Sequence, residues 1–201
     1  MADFKVLVIS SSPRKDGNSD TLSKEALRCA REMGADVEYI RVVELNISPC
    51  RSCGHCEKKG FCAISDDFPP LMKKMLEADL LVFATPIYFM SVGAWGKMVI
   101  DRCQTLWARK YVLKLPNRAE QNKSWGALCI AVGGTRSVKM FDSIRLTMKY
   151  FYDVLEIGVF EEIFLNQLDH IGAVKERPDA LRDAYEKTKI VIKKINEIRR
   201  S

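Results

Sequence analysis

The stretch FKVLVISSSPRKDGNSDTL, residues 4–22, joins an apolar run to a polar loop and to the start of an amphipathic segment. Residues 4–10 are short, apolar and rich in β-branched side chains, which predicts a buried strand. Residues 20–33 have the apolar spacing of a helix. The loop between them therefore ends at a helix N-terminus, where free N–H groups and hydroxyls are typical of an anion site. Arg14 adds a cation to it.

The alternation of strand and helix continues along the chain. Further strands are predicted at residues 37–42, 79–84, 125–132 and 159–165, and further helices near 68–77, 96–107, 139–155 and 178–200. Near-continuous apolar strands between helices indicate a parallel sheet that is covered on both faces. With right-handed crossovers, five such units favour the flavodoxin order. We predict one α/β domain over residues 1–201, a flavodoxin-like three-layer sandwich with a five-stranded parallel sheet in the order 2-1-3-4-5.

Composition and charge argue against several classes of protein. The chain has 201 residues, of which 47% are hydrophobic and 29% are charged, as in ordinary globular proteins. No apolar run approaches the roughly 20 residues of a membrane span, and the N-terminus is not typical of a signal peptide. The 32 basic and 26 acidic residues give a net charge of +6, but the basic residues are dispersed. We expect a cytoplasmic protein with reduced thiols and with no nucleic-acid or membrane partner.

Ligand chemistry is expected beyond the carboxyl ends of the first and third strands, where this sheet order has its switch point. The sequence TPIYFMSVGAWGKMVIDR, residues 85–102, follows the third strand, and we predict a rigid aromatic turn at its Pro86–Phe89 segment. GGTRS, residues 133–137, adds a Gly-rich loop after the fourth strand. Each loop alone is also explained by a capped helix or by core aromatics. Together they favour a flat ring with one phosphate, and the chain has neither GxGxxG nor GK[ST].

The sequence CRSCGHCEKKGFC, residues 50–62, holds four of the seven cysteines at the spacing C-x2-C-x2-C-x5-C. In a reducing compartment such a cluster indicates a metal or redox site. Three cysteines at intervals of three are typical of a [4Fe–4S] loop, although the last gap is longer than in bacterial ferredoxins and Ala63 replaces their proline. We predict one [4Fe–4S] cluster with four local ligands, Cys50, Cys53, Cys56 and Cys62. Zinc and free thiols remain alternatives.

Two motifs extend this interpretation by resemblance. The loop S-P-R-x-x-G-N-S-x-x-L and the sequence T-P-I-Y-F…G…K…D-R resemble the flavodoxin-like NADPH-dependent FMN reductase family over about residues 5–165. The Thr-rich phosphate loop of flavodoxin itself is missing. The resemblance implies FMN, with its phosphate bound by Ser12, Arg14, Asn18 and Ser19, its ring against Pro86, Ile87, Tyr88 and Phe89, and Ser10 and Gly133 at the loop edges.

The four-cysteine loop after the second strand resembles the iron–sulfur flavoprotein subfamily. That resemblance implies a homodimer or homotetramer, in which the cluster of one subunit approaches the FMN of a neighbour, and a ferredoxin-like electron donor. Because the loop follows the second strand, we expect it at the same sheet edge as the flavin loops. The polar segment 108–123 is predicted to be a flap or an oligomer contact.

The predicted function is electron transfer that depends on FMN and [4Fe–4S], an oxidoreductase activity between a one-electron partner and a reducible acceptor. No side chain is predicted to act as a covalent catalyst. The first alternative is an NAD(P)H-dependent FMN or quinone reductase whose cysteine loop is structural, holding zinc or free thiols. The second is a zinc-bearing interaction module without flavin chemistry.

Overall fold

The computed structural model describes residues 4–118 and 124–200. Within these ranges the chain forms six strands and seven α-helices. The strands are β1 Lys5–Ser10, β2 Asp36–Arg41, β3 Leu80–Tyr88, β4 Ser91–Val92, β5 Gly126–Val132 and β6 Val159–Leu165. The helices are α1 Asn18–Glu32, α2 His55–Lys59, α3 Phe68–Glu77, α4 Ala94–Arg102, α5 Gln104–Trp107, α6 Met140–Val154 and α7 Pro178–Ile198. None of these helices has both the length and the apolar character that crossing a bilayer requires.

The main sheet is parallel and has the order β2-β1-β3-β5-β6. This confirms the predicted order, since β5 and β6 are the fourth and fifth strands of the prediction. β1 lies in the interior of the sheet, where Val8 is paired with Tyr39 of β2 and with Val82 of β3. The short β4, which the sequence did not predict, pairs antiparallel with the end of β3.

Side chains alternate between the two faces of the sheet, as the pleat of a strand requires. Val6 and Val8 belong to one core cluster, into which α1 and α7 pack. Leu7 and Ile9 belong to the other cluster, which contains apolar residues of α3, α4 and α6. Helices therefore cover both faces, and the predicted three-layer sandwich is confirmed.

Two element boundaries differ from the predictions. β3 continues past the predicted end at Ala84, because beyond the sheet edge it pairs with β4 through Ile87–Val92 and Tyr88–Ser91. The helix predicted at residues 96–107 is two helices that meet at Cys103, followed by a π-helical turn over Ala108–Val112. Of the segment predicted to be a flap or contact, residues 119–123 lie outside the described residues.

Candidate functional site

A cavity of about 110 Å³ lies at the carboxyl edge of the sheet, and we call it the edge cavity. It is lined by the end of β3 and by the segments that follow β1, β5 and β6. Eight of the ten residues predicted to contact FMN line it: Ser12, Arg14, Asn18, Ser19, Pro86, Ile87, Tyr88 and Gly133. The fold thus brings the predicted phosphate loop and the predicted ring-binding segment to opposite sides of one space.

The side of the edge cavity that was predicted to bind phosphate is the N-terminus of α1. Gly17 occupies the N-cap position and makes no side-chain capping bond, so the N–H groups of the first turn are open to an anion. The turn before it is closed by Ser12, whose Oγ accepts from the Arg14 N–H at 3.2 Å and donates to the Arg14 carbonyl at 3.1 Å. A Cβ on Gly17 would lie 3.1 Å from Ser12 Oγ and 3.2 Å from the Arg14 carbonyl. The glycine therefore keeps this turn compact.

The side chain of Asn18 makes hydrogen bonds to the loop that follows β6. Its Nδ2 donates to the carbonyls of Leu168 at 3.1 Å and His170 at 2.9 Å, and its Oδ1 accepts from the Val174 N–H at 3.1 Å. The amide group is therefore saturated, and Asn18 faces an anion with its backbone. The loop that Asn18 holds supplies Leu168, Asp169 and Ile171 to the edge cavity, residues that the sequence did not single out. Their position directly after a parallel strand was the available signal.

Two predicted residues do not line the edge cavity. Ser10 is fully buried, and its hydroxyl donates to Asp20 Oδ1 at 2.7 Å. Phe89 lies at the tip of the β3–β4 hairpin and is fully exposed. Phe89 and Met90 have φ values of +48° and +60°, the left-handed pair that a two-residue type I′ turn needs. Because β3 extends to Tyr88, the next residue falls in this turn and leaves the cavity wall.

Asp20 is a buried carboxylate behind the phosphate loop. It accepts hydrogen bonds from Ser10, from the Tyr39 hydroxyl and from the Asp16 N–H, and it lies 3.0 Å from Lys24 Nζ. Burial acts to raise the pKa of Asp20, but the hydrogen bonds from Tyr39, Ser10 and Lys24 outweigh it, so the pKa is below its ordinary 3.8. Burial and Asp20 raise the pKa of Tyr39 to about 12. Asp20 thus fixes β1, β2 and α1 to one another beneath the cavity.

We expect the variant Asp20→Asn to lower the free energy of unfolding at pH 7 by about 1–3 kcal/mol, since it weakens buried charge-assisted hydrogen bonds. Because the folded pKa is below 3.8, this stabilisation is present above that pH and is lost as the pH falls through the folded pKa. Urea unfolding at pH 7 and at pH 3 should therefore show a difference from wild type that shrinks in acid. The exposed Asp142→Asn is the control, and a difference that does not depend on pH would contradict the assignment.

The four cysteines of residues 50–62 line a second cavity, of about 70 Å³, which we call the thiol cavity. All four thiols are free, Cys50 and Cys53 being exposed and Cys56 and Cys62 half-buried. The other lining residues are Arg51, Ser52, Gly54, Glu57, Ala63, Ile64, Arg102, Gln104 and Thr105. Over residues 4–118 and 124–200, no three His, Cys, Asp or Glu side chains are arranged around a position for a single metal ion.

The backbone of the cysteine loop depends on two glycines. Gly54 and Gly60 flank the short α2 with φ values of +69° and +75°, a left-handed conformation that glycine adopts without steric cost. The Gly60 N–H donates to the Cys56 carbonyl at 2.9 Å, which closes the C-terminal end of α2. His55, within this helix, has a buried Nε2 without a partner among the described residues, and its ring contacts Phe61. The two glycines thus let the chain turn sharply between Cys53, Cys56 and Cys62.

The thiol cavity lies away from the sheet edge, and the prediction that it shares this edge with the flavin loops is wrong. Gly96, near the start of α4, approaches Ser11 beside the edge cavity, where an added Cβ would lie 2.8 Å from its Oγ. The other end of α4, Arg102, lies in the wall of the thiol cavity. The six residue steps from Gly96 to Arg102 rise about 9 Å along α4. The chain leaves β2 at the carboxyl edge of the sheet. The segment between Asn46 and Asp67 then folds back toward the C-terminal end of α4.

Comparisons with known proteins match the chain to one family. The model of the NADPH-dependent FMN reductase family matches residues 4–151. An iron–sulfur flavoprotein of Methanocaldococcus jannaschii is 36% identical over 148 residues, which cover 74% of this chain and 72% of that protein. An iron–sulfur flavoprotein of Methanosarcina thermophila is 34% identical over 175 residues, which cover 87% of this chain and 84% of that protein.

A solved structure shows the same fold. The NAD(P)H:quinone oxidoreductase of Methanothermobacter marburgensis matches with a TM-score of 0.73, over 93% of this chain and 96% of that chain, at 15% identity. At this identity the match concerns the fold alone. The assignment rests on the sequence similarity to the family and to the two flavoproteins. This chain belongs to the NADPH-dependent FMN reductase family and, within it, to the iron–sulfur flavoprotein subfamily.

Proposed function

We propose that this flavin-dependent oxidoreductase transfers electrons between a one-electron partner and a reducible acceptor, with FMN in the edge cavity and a [4Fe–4S] cluster in the thiol cavity. The observation that carries the proposal is the convergence of four free thiols on one cavity, in a chain whose family uses flavin. When bound, FMN exchanges one or two electrons and a [4Fe–4S] cluster exchanges one, so the pair links two-electron to one-electron chemistry.

The edge cavity offers groups that suit both ends of FMN. An anion at the start of α1 meets the open N–H groups of the first turn, the hydroxyl of Ser19 and the guanidinium of Arg14, while Ser12 holds the turn closed. On the opposite side, the apolar and aromatic surface of Pro86–Tyr88 suits a flat ring. Gly133 lets Met140 pack closely behind this wall, because a Cβ there would lie 2.6 Å from Met140 Sδ. We assign the phosphate to the first side and the ring to the second.

The thiol cavity suits a cluster in the chemistry and in the size of its donor set. Four cysteines line it, and cysteine thiolates are the ligands of [4Fe–4S] centres. A volume of about 70 Å³ is several times the roughly 15 Å³ that one water needs, which favours a group of several atoms over a single ion. The buried Nε of Arg102, a residue of the cavity wall, has no partner among the described residues. A polar group in the cavity would meet this unpaired N–H.

The separation of the two cavities supports an oligomer. Within one chain they share no lining residue and lie at opposite ends of α4. Cys50 and Cys53 are exposed, so a neighbouring molecule can approach the thiol cavity directly. We propose a homodimer or homotetramer in which the thiol cavity of one subunit faces the edge cavity of another. Basic side chains at Arg51, Lys58 and Lys59 suit an acidic, ferredoxin-like electron donor at the same surface.

The test is the cofactor content of protein purified without oxygen. We expect one FMN, about four iron atoms and about four acid-labile sulfides per chain, and a yellow-brown colour. Metal analysis measures iron, a colorimetric assay measures acid-labile sulfide, and the absorption spectrum measures FMN, all on one sample. Stoichiometric zinc without sulfide would contradict the cluster, and FMN without iron, sulfide or zinc would favour an NAD(P)H-dependent reductase whose cysteine loop is structural.

A further inference from the structure

Arg102, the last residue of α4, is 1% exposed and contacts the cysteine loop on both sides. Its Nη1 donates to the Ser48 carbonyl at 2.7 Å and to Asp66 Oδ2 at 2.6 Å. Its Nη2 donates to Asp66 Oδ1 at 3.1 Å and to Cys62 Sγ at 3.4 Å. Ser48 precedes the first cysteine of the loop, and Asp66 follows the last one. One guanidinium therefore connects the beginning and the end of the loop.

Asp66 fixes the direction in which this guanidinium points. Its side chain is 5% exposed, and it also accepts from the N–H groups of Ser48 at 2.9 Å and Phe68 at 3.0 Å. The Phe68 ring lies under the guanidinium, 4.6 Å from Cζ. A buried bidentate pair with an aromatic ring beneath it holds arginine in one orientation. The remaining Nη2–H is therefore directed between the sulfur of Cys62 at 3.4 Å and the Ile64 carbonyl at 3.5 Å.

We infer that Arg102 is a positioning residue of the thiol cavity, which holds both ends of the cysteine loop and donates a charge-assisted hydrogen bond to a ligand sulfur. This inference rests on the proposed function. Hydrogen bonds to the sulfurs and the local net charge set the reduction potential of an iron–sulfur cluster. A donor with a positive charge stabilises the reduced cluster, which carries one more negative charge. Arg102 therefore raises the reduction potential of the cluster.

The test is a reductive titration with dithionite and mediators, followed by electron paramagnetic resonance, on wild type and two variants. Arg102→Gln removes the cation and leaves Asp66 buried beside the cluster. We expect its equilibrium constant for cluster reduction to fall about tenfold, which is about 59 mV for a one-electron couple. Arg102→Lys keeps the positive charge but has one terminal nitrogen where arginine has two, so we expect a smaller fall in this equilibrium constant. In the double variant Arg102→Gln and Asp66→Asn, the reduction potential should move part of the way back to the wild-type value, because the unpaired carboxylate is absent.

Arg109→Gln is the matched control. Arg109 reaches the same loop, with Nη1 at 3.5 Å from the Gly60 carbonyl, but it contacts no cysteine sulfur. We expect its potential to stay at the wild-type value. An equal shift of the reduction potential in this control would overturn the inference, since the loss of any positive charge near the loop would then explain the effect.

The outcomes separate this inference from the proposed function. Wild-type protein without iron and sulfide contradicts both. Wild-type protein with a cluster, together with unchanged potentials in the Arg102 variants, contradicts only the role of Arg102. If Arg102→Gln does not fold, Arg102→Lys decides, and a wild-type potential in that variant overturns the inference. FMN content is measured in every sample and should stay constant, because Arg102 does not line the edge cavity.

Discussion

Cys56→Ser protein purified without oxygen is expected to lose at least about nine-tenths of its iron and sulfide and to keep its FMN. Cys56 lies in α2, within the wall of the thiol cavity. Burial and the neighbouring Cys50 and Cys62 sulfurs raise the pKa of its thiol, so a metal must replace the proton before the thiolate is stable there. A serine hydroxyl does not replace that thiolate. FMN stays because no residue lines both cavities.

Iron, sulfide and FMN are measured on the same preparation. Cys29→Ala is the matched control, because Cys29 is a free, fully buried cysteine of α1 that lies outside the thiol cavity. Its iron and FMN contents should equal those of wild type. Wild-type iron and sulfide in Cys56→Ser would show that the cysteine loop does not hold the cluster, and simultaneous loss of FMN would show that the two sites depend on each other.

A mixture of two inactive variants is expected to regain electron transfer if the sites of different subunits work together. Cys56→Ser lacks the cluster, and Arg14→Glu lacks FMN because its carboxylate repels the phosphate at the start of α1. After subunit exchange, each mixed dimer has one intact thiol cavity and one intact edge cavity, on different chains. Random exchange should restore about a quarter of the wild-type rate. The rate of flavin reduction by reduced methyl viologen measures this return.

Two further samples make the mixing experiment decisive. Cys56→Ser mixed with Cys62→Ser contains no intact thiol cavity, so it should stay at the background rate at which viologen reduces flavin directly. Native mass spectrometry shows whether mixed oligomers have formed. Mixed oligomers without any return of the rate would place the electron path within one subunit and reject the proposed arrangement.

The sequence was sufficient for the fold and for most of the edge cavity. β1, β3 and β5 are buried along nearly their whole length, so their apolar runs stand out and their order follows from few topologies. Residues that follow these strands were found because parallel strands bring their ends to one edge. The segment Leu168–Ile171 was missed although it follows β6, since the contact that holds it at the cavity is made by the amide of Asn18, about 150 residues away in the chain. Such a contact leaves no local pattern.

The cysteine spacing indicated a chemistry but not a location. The location depends on the pair of Arg102 and Asp66, which are 36 residues apart in the chain. An arginine in the last turn of a helix is common for electrostatic reasons, so its sequence position does not reveal a contact with sulfur. Phe89 was assigned to the flavin ring from its sequence position alone, directly after Tyr88. Only the pairing of β4 with β3 shows that the hairpin carries it away.

The two cavities differ in when they are completed during synthesis on the ribosome. Every residue that lines the thiol cavity lies between positions 50 and 105, whereas the edge cavity needs residues from 12 to 171. Chains emerge and fold from the N-terminus. A nascent chain that has not yet reached β6 therefore contains the whole thiol cavity but lacks one wall of the edge cavity. Under the proposed assignment, the residues for the cluster are all present early in synthesis, while those for the flavin are complete only in a chain that is nearly finished.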